Sequence, residues 1–288
     1  MSRAIRGRIF SPDTTDRAAS LLLWASAAAT VLILMSIIGT IVYRGIGVID
    51  ISFLLDAPRL SGAEGGIFPA IIGTLCLVAV AILTAGPIGV GAAVYLIEYA
   101  PDNALTRIIT FGVECLAGIP SIVIGLFGYA FLVVYLGFGF SILSGGVALM
   151  FMILPWTVRA SEEAIKTVSG GLKEGSLALG ATKWQTIRQV VLPNALPGIT
   201  TGVILGIGKA IGETAVIMYT AGSSLLLPES IFEPVRALPY HLYILASEGI
   251  SDEMAYGSAA VLLGMVLLIN FTAVAIQRYY QTRSGLRH

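Results

Sequence analysis

Charge is scarce in this 288-residue sequence: Asp, Glu, Lys and Arg together supply 12% of it, where soluble domains carry about a quarter. Hydrophobic residues make up 56%, and the mean hydropathy is +0.89. This deficit excludes an ordinary soluble domain and identifies an integral membrane protein. The 17 basic and 17 acidic residues cancel, so net charge points to no nucleic-acid partner. Only two cysteines occur. Cys76 and Cys115 both sit in apolar runs and read as small core residues, not as a disulfide or a metal site. His241 and His288 are far from metal-ligand spacing. There is no GxxxxGK[ST] phosphate loop, so the chain is not expected to hydrolyse ATP, and no cofactor is implied. Gly89-Val90-Gly91 is too short for a nucleotide fingerprint, and no strand precedes it. A cleavable targeting segment is also missing. The basic front Arg3, Arg6, Arg8 and Arg17 is followed by an apolar run too long for a signal-peptide core, which reads as a retained span.

What the chain does have is long apolar stretches. Leu21 to Val42 covers the roughly 20 residues a bilayer needs, with Tyr43 at the interface. Residues 44–66 are polar and read as an external loop. The second span runs from Ile67 to about Ile88, kinked or ended near Gly86-Pro87 because Pro87 removes an intrahelical bond. Val90 to Pro101 suits a turn and an interfacial helix. A third span follows from Arg107 to about Gly137 with Pro120 in its middle, and a fourth from Ile142 to Val158. Residues 159–194 are polar. Ala195 to Tyr219 is the fifth span, 220–255 an outer loop, and Tyr256 to Ile276 the sixth.

The distribution of cations orients this map. With the N-terminus inside, the inner segments hold Arg3, Arg6, Arg8, Arg17, Arg107, Arg159, Lys166, Lys173, Lys183, Arg188, Arg278, Arg283 and Arg287. The outer ones hold only Arg44, Arg59 and Arg236. Cytoplasmic loops are enriched in Lys and Arg, so an all-α protein with six spans and both termini cytoplasmic is expected. The segments are 1–20 cytoplasmic, 21–43 the first transmembrane helix, 44–66 external, 67–280 the core of spans two to six, and 281–288 a cytoplasmic tail.

The polar stretch before the fifth span has structure of its own. Leu172 to Leu179 has helical composition and stops at Gly180, a residue able to take a left-handed turn. Thr182-Lys183-Trp184-Gln185 fits a capping box. Trp184, Ile187 and Val191 then share one face at helical spacing. Pro193 is expected to end that helix, and Pro197 to start the next. Two short helices joined at Gly180 suit docking in a groove of another protein. A pair lying flat on the membrane surface is the alternative that Lys183, Trp184 and Arg188 also allow.

The segment EGSLALGATKWQTIRQVVLP resembles the signature loop of ABC-importer permeases: Glu-Ala-Ala, three residues, Gly, nine residues, an aliphatic, one residue, Leu-Pro. Glu174, Gly180, Val190, Leu192 and Pro193 fall at those positions, while Gly175-Ser176 replaces the two alanines. GGIFPAIIGTL (Gly65 to Leu75), GIPSIVIGLFG (Gly118 to Gly128) and GKAIGETA (Gly208 to Ala215) are similar to strings of phosphate-specific permeases of the PstA type. Lys209 departs from the arginine often found there, and a point charge replaces a two-pronged donor. The resemblance implies a MetI-like six-helix core with cytoplasmic coupling helices, in a bacterial inner membrane. It further implies that Glu174, Gly180, Ala181, Leu192 and Pro193 couple to an ATPase. The implied partners are a second homologous permease, two cytoplasmic ATPase subunits and an external phosphate-binding protein, the cargo being inorganic phosphate. Another oxyanion such as molybdate or sulfate, or a stand-alone secondary transporter, is the alternative.

Charges inside the spans are the other signal. Lys209 lies about 12 residues, or roughly 18 Å, into the fifth span at 1.5 Å per residue. A lysine at that depth costs on the order of 3 kcal/mol by insertion scales. Gly198, Gly202, Gly206, Lys209, Glu213 and Thr220 form one stripe at steps of three, four and seven, expected to face the bundle or a cavity. Glu114, Gly118, Ser121, Gly125 and Gly128 form a second. Lys209 and Glu213 either pair as structural glue one turn apart or, with Glu114 as a further partner, line a substrate path. An acid beside the lysine would weaken an anion site enough for release.

Overall fold

In a computed structural model of the chain, residues 12–283 are described. Arg3, Arg6 and Arg8 of the basic front, and Arg287 and His288 of the tail, lie outside them. Among the described residues, twelve α-helices account for most of the regular structure. The first, α1 (Pro12–Gly45), is followed by the short α2 (Ile51–Leu55), which Asp50 caps by accepting from the Phe53 amide at 2.6 Å. Two two-residue strands, Pro58–Arg59 and Glu64–Gly65, pair antiparallel in the connection that follows. Five helical stretches are long and apolar enough to cross a membrane: Asp16–Gly45, Phe68–Tyr99, Ile142–Lys166, Lys183–Ile211 and Asp252–Ala275. Six is reached when a bent pair, Ala104–Gly118 and Ser121–Tyr135, counts as one.

Proline decides several boundaries, and not always as the sequence suggests. The second span does not stop at Pro87. It runs as α3 (Phe68–Val94) and continues as a π turn, Tyr95–Tyr99, through the segment expected to be a turn and interfacial helix. One lost amide bond is a smaller cost in an apolar setting than the several bonds an unwound segment would expose. Glycine contacts also hold the helix on course: a Cβ on Gly89 would lie 2.8 Å from the Thr157 methyl on α6 (Ile142–Lys166). The third span, by contrast, breaks. It splits into α4 (Ala104–Gly118) and α5 (Ser121–Gly128), which passes into a π segment at Tyr129–Tyr135, and the two halves are bent by 105°. Ile119 takes an extended conformation (φ −71°, ψ 130°), as a residue before proline prefers. α4 buries no residue against the rest of the chain, so no close helix packing opposes the bend.

The fourth span, α6, extends to Lys166, so the polar connection starts near Thr167 and not at Arg159. It contains α7 (Gly170–Ala178) and α8 (Lys183–Thr186). α8 does not end at Pro193. It widens into a π turn, Ile187–Val191, and joins α9 (Leu192–Ile211) without a break, giving one rod from Lys183 to Ile211. Leu192 donates to the Ile187 carbonyl in the π spacing, and the Asn194 side chain covers the Val190 carbonyl at 2.7 Å. At Pro197 the carbonyl accepts from the side chains of Thr200, Thr201 and Gln277. The fifth span then stops at Ile211, not Tyr219. Gly212–Thr214 is non-helical, and the short α10 (Ala215–Met218) follows. α11 (Leu238–Ser247) and α12 (Asp252–Arg283) complete the chain.

The core is layered along the bundle. At one end Phe53, Ile67, Ala70 and Leu238 pack together. The centre is a large cluster from α3, α5, α6, α9 and α10, including Leu77, Ala81, Leu149, Ile153, Ile211 and Ile217. At the other end Ala93 and Val94 of α3, Ala164 and Ile165 of α6, and Ile187, Val191, Ala195 and Ile199 of the rod form a compact knot. Glycines let α9 lie against α6: a Cβ on Gly198 would come within 2.6 Å of the Ala164 Cβ, and one on Gly202 would collide with Ala160. That part of the expected small-residue stripe is a packing face.

Candidate coupling surface and membrane charges

α7 ends in a complete Schellman motif. Gly180 has φ +88°, its amide donates to the Leu177 carbonyl at 2.9 Å, and the Ala181 amide donates to Ser176 at 3.2 Å. The left-handed turn, not closeness to any neighbour, requires glycine here, since a Cβ at Gly180 would meet nothing within 4 Å. Two residues on, Thr182 and Gln185 form the reciprocal capping box at 3.3 and 2.8 Å. Ser176 and Thr186 join the two helices by a hydroxyl–hydroxyl bond of 2.9 Å. Glu174, Gly180 and Pro193 are exposed, and Ala181 and Leu192 half-buried, with Leu192 packed on the knot. Ile187 and Val191 are buried as expected, but Trp184 points outward. With Leu172, Leu177 and Leu179 (91% exposed), Trp184 is one of four uncovered large apolar side chains on the helix pair, together called the crown. Gly175 faces open space, so its small size serves no contact within this chain.

The membrane charges are arranged differently from the expected pairs. The break at Gly212–Thr214 puts Lys209 and Glu213 on different segments, and no ion pair joins them among the described residues. Lys209 is exposed in the last turn of α9, its ammonium 4.7 Å from the centre of the Trp156 ring. That placement gains from the cation–π attraction and from the helix C-terminus. Glu213 instead accepts from the Ala215 amide at 3.1 Å, at the start of α10. Glu114 is not a partner for Lys209 either. It bonds Arg159, which also holds the buried Glu162 at 2.8 Å. Arg159, expected at the edge of a loop, lies inside α6, and neither Trp156 nor Glu162 is among the expected site residues. Trp156 and Arg159 are three residues apart and share one face of α6. Lys209 and Glu114 therefore converge on that face, and Glu213 does not. Glycines of the second stripe serve the far half of the broken span: a Cβ on Gly125 would lie 2.8 Å from the Ala215 carbonyl. α5 thus packs on α10, each following a helix break.

A bundle of transmembrane helices, interrupted by a compact helix pair that leads straight into a span, is a fold shared with solved ABC transporters. The chain superposes on the bacterial alginate ABC transporter crystallised with an alginate pentasaccharide-bound periplasmic protein with a TM-score of 0.69, at 16% identity over 92% of this chain and 96% of that one. With the inward-facing MetNI methionine ABC transporter the TM-score is 0.60, at 24% identity over 73% and 94%. The model of the binding-protein-dependent transport system inner membrane component matches residues 85–285, and the chain belongs to this family. Among relatives, it is 34% identical to the probable ABC transporter permease protein YqgI of Bacillus subtilis over 90% of this chain and 94% of that protein. It is 38% identical to the phosphate transport system permease protein PstA 1 of Mycobacterium tuberculosis over 76% and 72%. The PstA protein of Xylella fastidiosa is 33% identical over 82% and 83%. As a permease subunit the chain is a conduit, not itself an enzyme.

Proposed function

We propose that this chain is the permease subunit of an importer for inorganic phosphate, working beside a second homologous permease, on two ATPase subunits and beneath an external phosphate-binding protein. The likeness to PstA proteins from several bacteria supports the cargo. The observation that carries the mechanism is the unbroken rod from Lys183 to Ile211. The crown of Leu172, Leu177, Leu179 and Trp184, with Glu174 at its edge, offers an ATPase groove an apolar surface. Gly180 and Ala181 set the turn that presents it. Leu192 and Pro193 lie inside the rod, so movement of Trp184 near its start is movement of α9. Lys209 lies 26 residues from the rod's start, or roughly 39 Å at 1.5 Å per residue. ATP-driven closure beneath the crown therefore tilts a helix whose far end carries a cation.

The core at the centre of this chain is a closely packed cluster of apolar side chains. The passage is accordingly placed between this chain and the second permease, where Lys209, Glu114 and the break at Gly118–Pro120 are exposed. Lys209 is the pathway residue. Its ammonium is shared with a ring and, among the described residues, not paired with a carboxylate, so it attracts a passing anion without a deep trap. Glu114 serves through Arg159, and Glu213 through the start of α10. With the crown facing the cytoplasm, both termini are cytoplasmic, in agreement with the cation bias.

The test is uptake of inorganic phosphate into proteoliposomes by the assembled complex. Lys209→Gln is expected to reduce uptake about tenfold, equivalent to 1.4 kcal/mol, with complex yield unchanged, and Lys209→Arg to retain most of it. Wild-type uptake by Lys209→Gln would remove the pathway role.

A further inference from the structure

Two consecutive residues at the end of α3 each hold a lysine from a different helix of the coupling pair. Glu98 accepts from the Lys173 ammonium of α7 at 2.6 Å, and the two side chains are only 13% and 23% exposed. Tyr99 lies under the Lys183 ammonium, 4.7 Å from ring centre to nitrogen, at the first residue of α8. Both Glu98 and Tyr99 belong to the π turn Tyr95–Tyr99, whose wider bore re-aims side chains relative to a plain α-helix. Behind them Val94 and Ile97 enter the apolar knot with Ile187, Val191 and Leu192.

We infer that Glu98 and Tyr99 form a clamp that transmits movement of the coupling pair to α3, so that the stroke reaches two spans and not α9 alone. The two helices of the pair are attached independently. α8 is continuous with α9, but α7 is separated from α8 by the left-handed turn at Gly180 and is joined to it by the Ser176–Thr186 side-chain bond. Without the clamp, α7 hinges at Gly180 and its displacement is absorbed there. With it, α7 is tied to α3 through a largely desolvated ion pair, stronger than one in open water. Lys183 closes the triangle from the other helix. α3 packs along α6 through Gly89, Gly145 and Gly146, so a pull at Glu98 moves a closely fitted helix pair. Glu98 and Lys173 are positioning residues that touch neither nucleotide nor cargo.

This rests on the importer reading, and the experiment separates the two. The complex is isolated from its own membranes through a tag on this chain and reconstituted with the external binding protein. Inorganic phosphate uptake and ATP hydrolysis are then measured together. Glu98→Gln and Lys173→Gln are each expected to lower phosphate moved per ATP about tenfold, with the ATPase still bound and hydrolysing. The exchange Glu98→Lys with Lys173→Glu is expected to restore most of the ratio, which loss of a merely stabilising contact elsewhere would not. An unchanged ratio in the single variants, even with a lower unfolding temperature, would overturn the clamp while leaving the importer intact. So would failure of the exchange to rescue. A wild-type chain that brings down no ATPase would overturn both readings.

Discussion

Replacing Gly180 tests whether the turn between the coupling helices is set by backbone conformation. The glycine has φ +88°, and a Cβ there meets nothing within 4 Å, so any cost within this chain is conformational and not steric. An L-residue in the left-handed region costs roughly 1–2 kcal/mol, and asparagine less because it visits that region readily. That penalty cuts the population of the closed turn by a factor of about 5–30. The expected order of damage is Asn mildest, then Ala, then Val, whose β-branch makes it a true outlier. Two assays read it. Hydrogen exchange at the Ala181 amide, which donates to Ser176 in the closed turn, should speed up in that order. ATP-driven uptake by the assembled complex should fall in the same order. If Ala proved milder than Asn in both, side-chain size would govern, and Gly180 would be there for close approach to a partner subunit.

Two further perturbations follow from buried polar groups. His241 is 1% exposed, and neither ring nitrogen has a hydrogen-bond partner within the described residues. Burial, with Arg236 adding to it, lowers its pKa from 6.5 to about 4. Because the unfolded chain then binds the proton more readily, stability is full above the unfolded value, falls between pH 6.5 and 4, and stops falling below that. The total is about 3 kcal/mol at 1.36 kcal/mol per unit. Thermal unfolding in detergent should show this slope and lose it in His241→Phe, and an identical slope in that variant would refute the assignment. Arg159→Gln strands the Glu162 carboxylate, which is 5% exposed, and is expected to cost about 3 kcal/mol. Adding Glu162→Gln should recover most of it by the same measurement, whereas additive losses would mean that the pair contributes nothing specific.

Much of the architecture is legible because its signals are local. The capping box at Thr182–Gln185 and the left-handed turn at Gly180 depend on a few adjacent residues, and both form as their sequence predicts. The prolines show where local reading fails. Pro87, Pro120 and Pro197 carry the same missing amide, yet only Pro120 breaks its helix sharply. The difference is tertiary: α3 and α9 are held against α6 by glycine contacts, while α4 has no such support. Lys209 and Glu213 fail for the opposite reason. Their four-residue spacing implies pairing only if the helix continues, and it stops at Gly212. Trp156 meets Lys209, and Arg159 meets Glu114, through packing of α6 against α9 and α4, which spacing within one helix does not reveal, whereas Arg159 and Glu162 are a three-residue pair within α6. Glu98 and Lys173 are 75 residues apart and meet only because α3 ends beside the coupling pair.

The central claim is that this chain conducts phosphate inward under the control of an ATPase bound at the crown. The most direct measurement is uptake of radiolabelled inorganic phosphate by the reconstituted complex, with and without ATP and the loaded binding protein. Uptake is expected only when both are present, undiminished by excess sulfate or molybdate. Uptake by the purified chain alone, or sulfate transport with phosphate left behind, would contradict it.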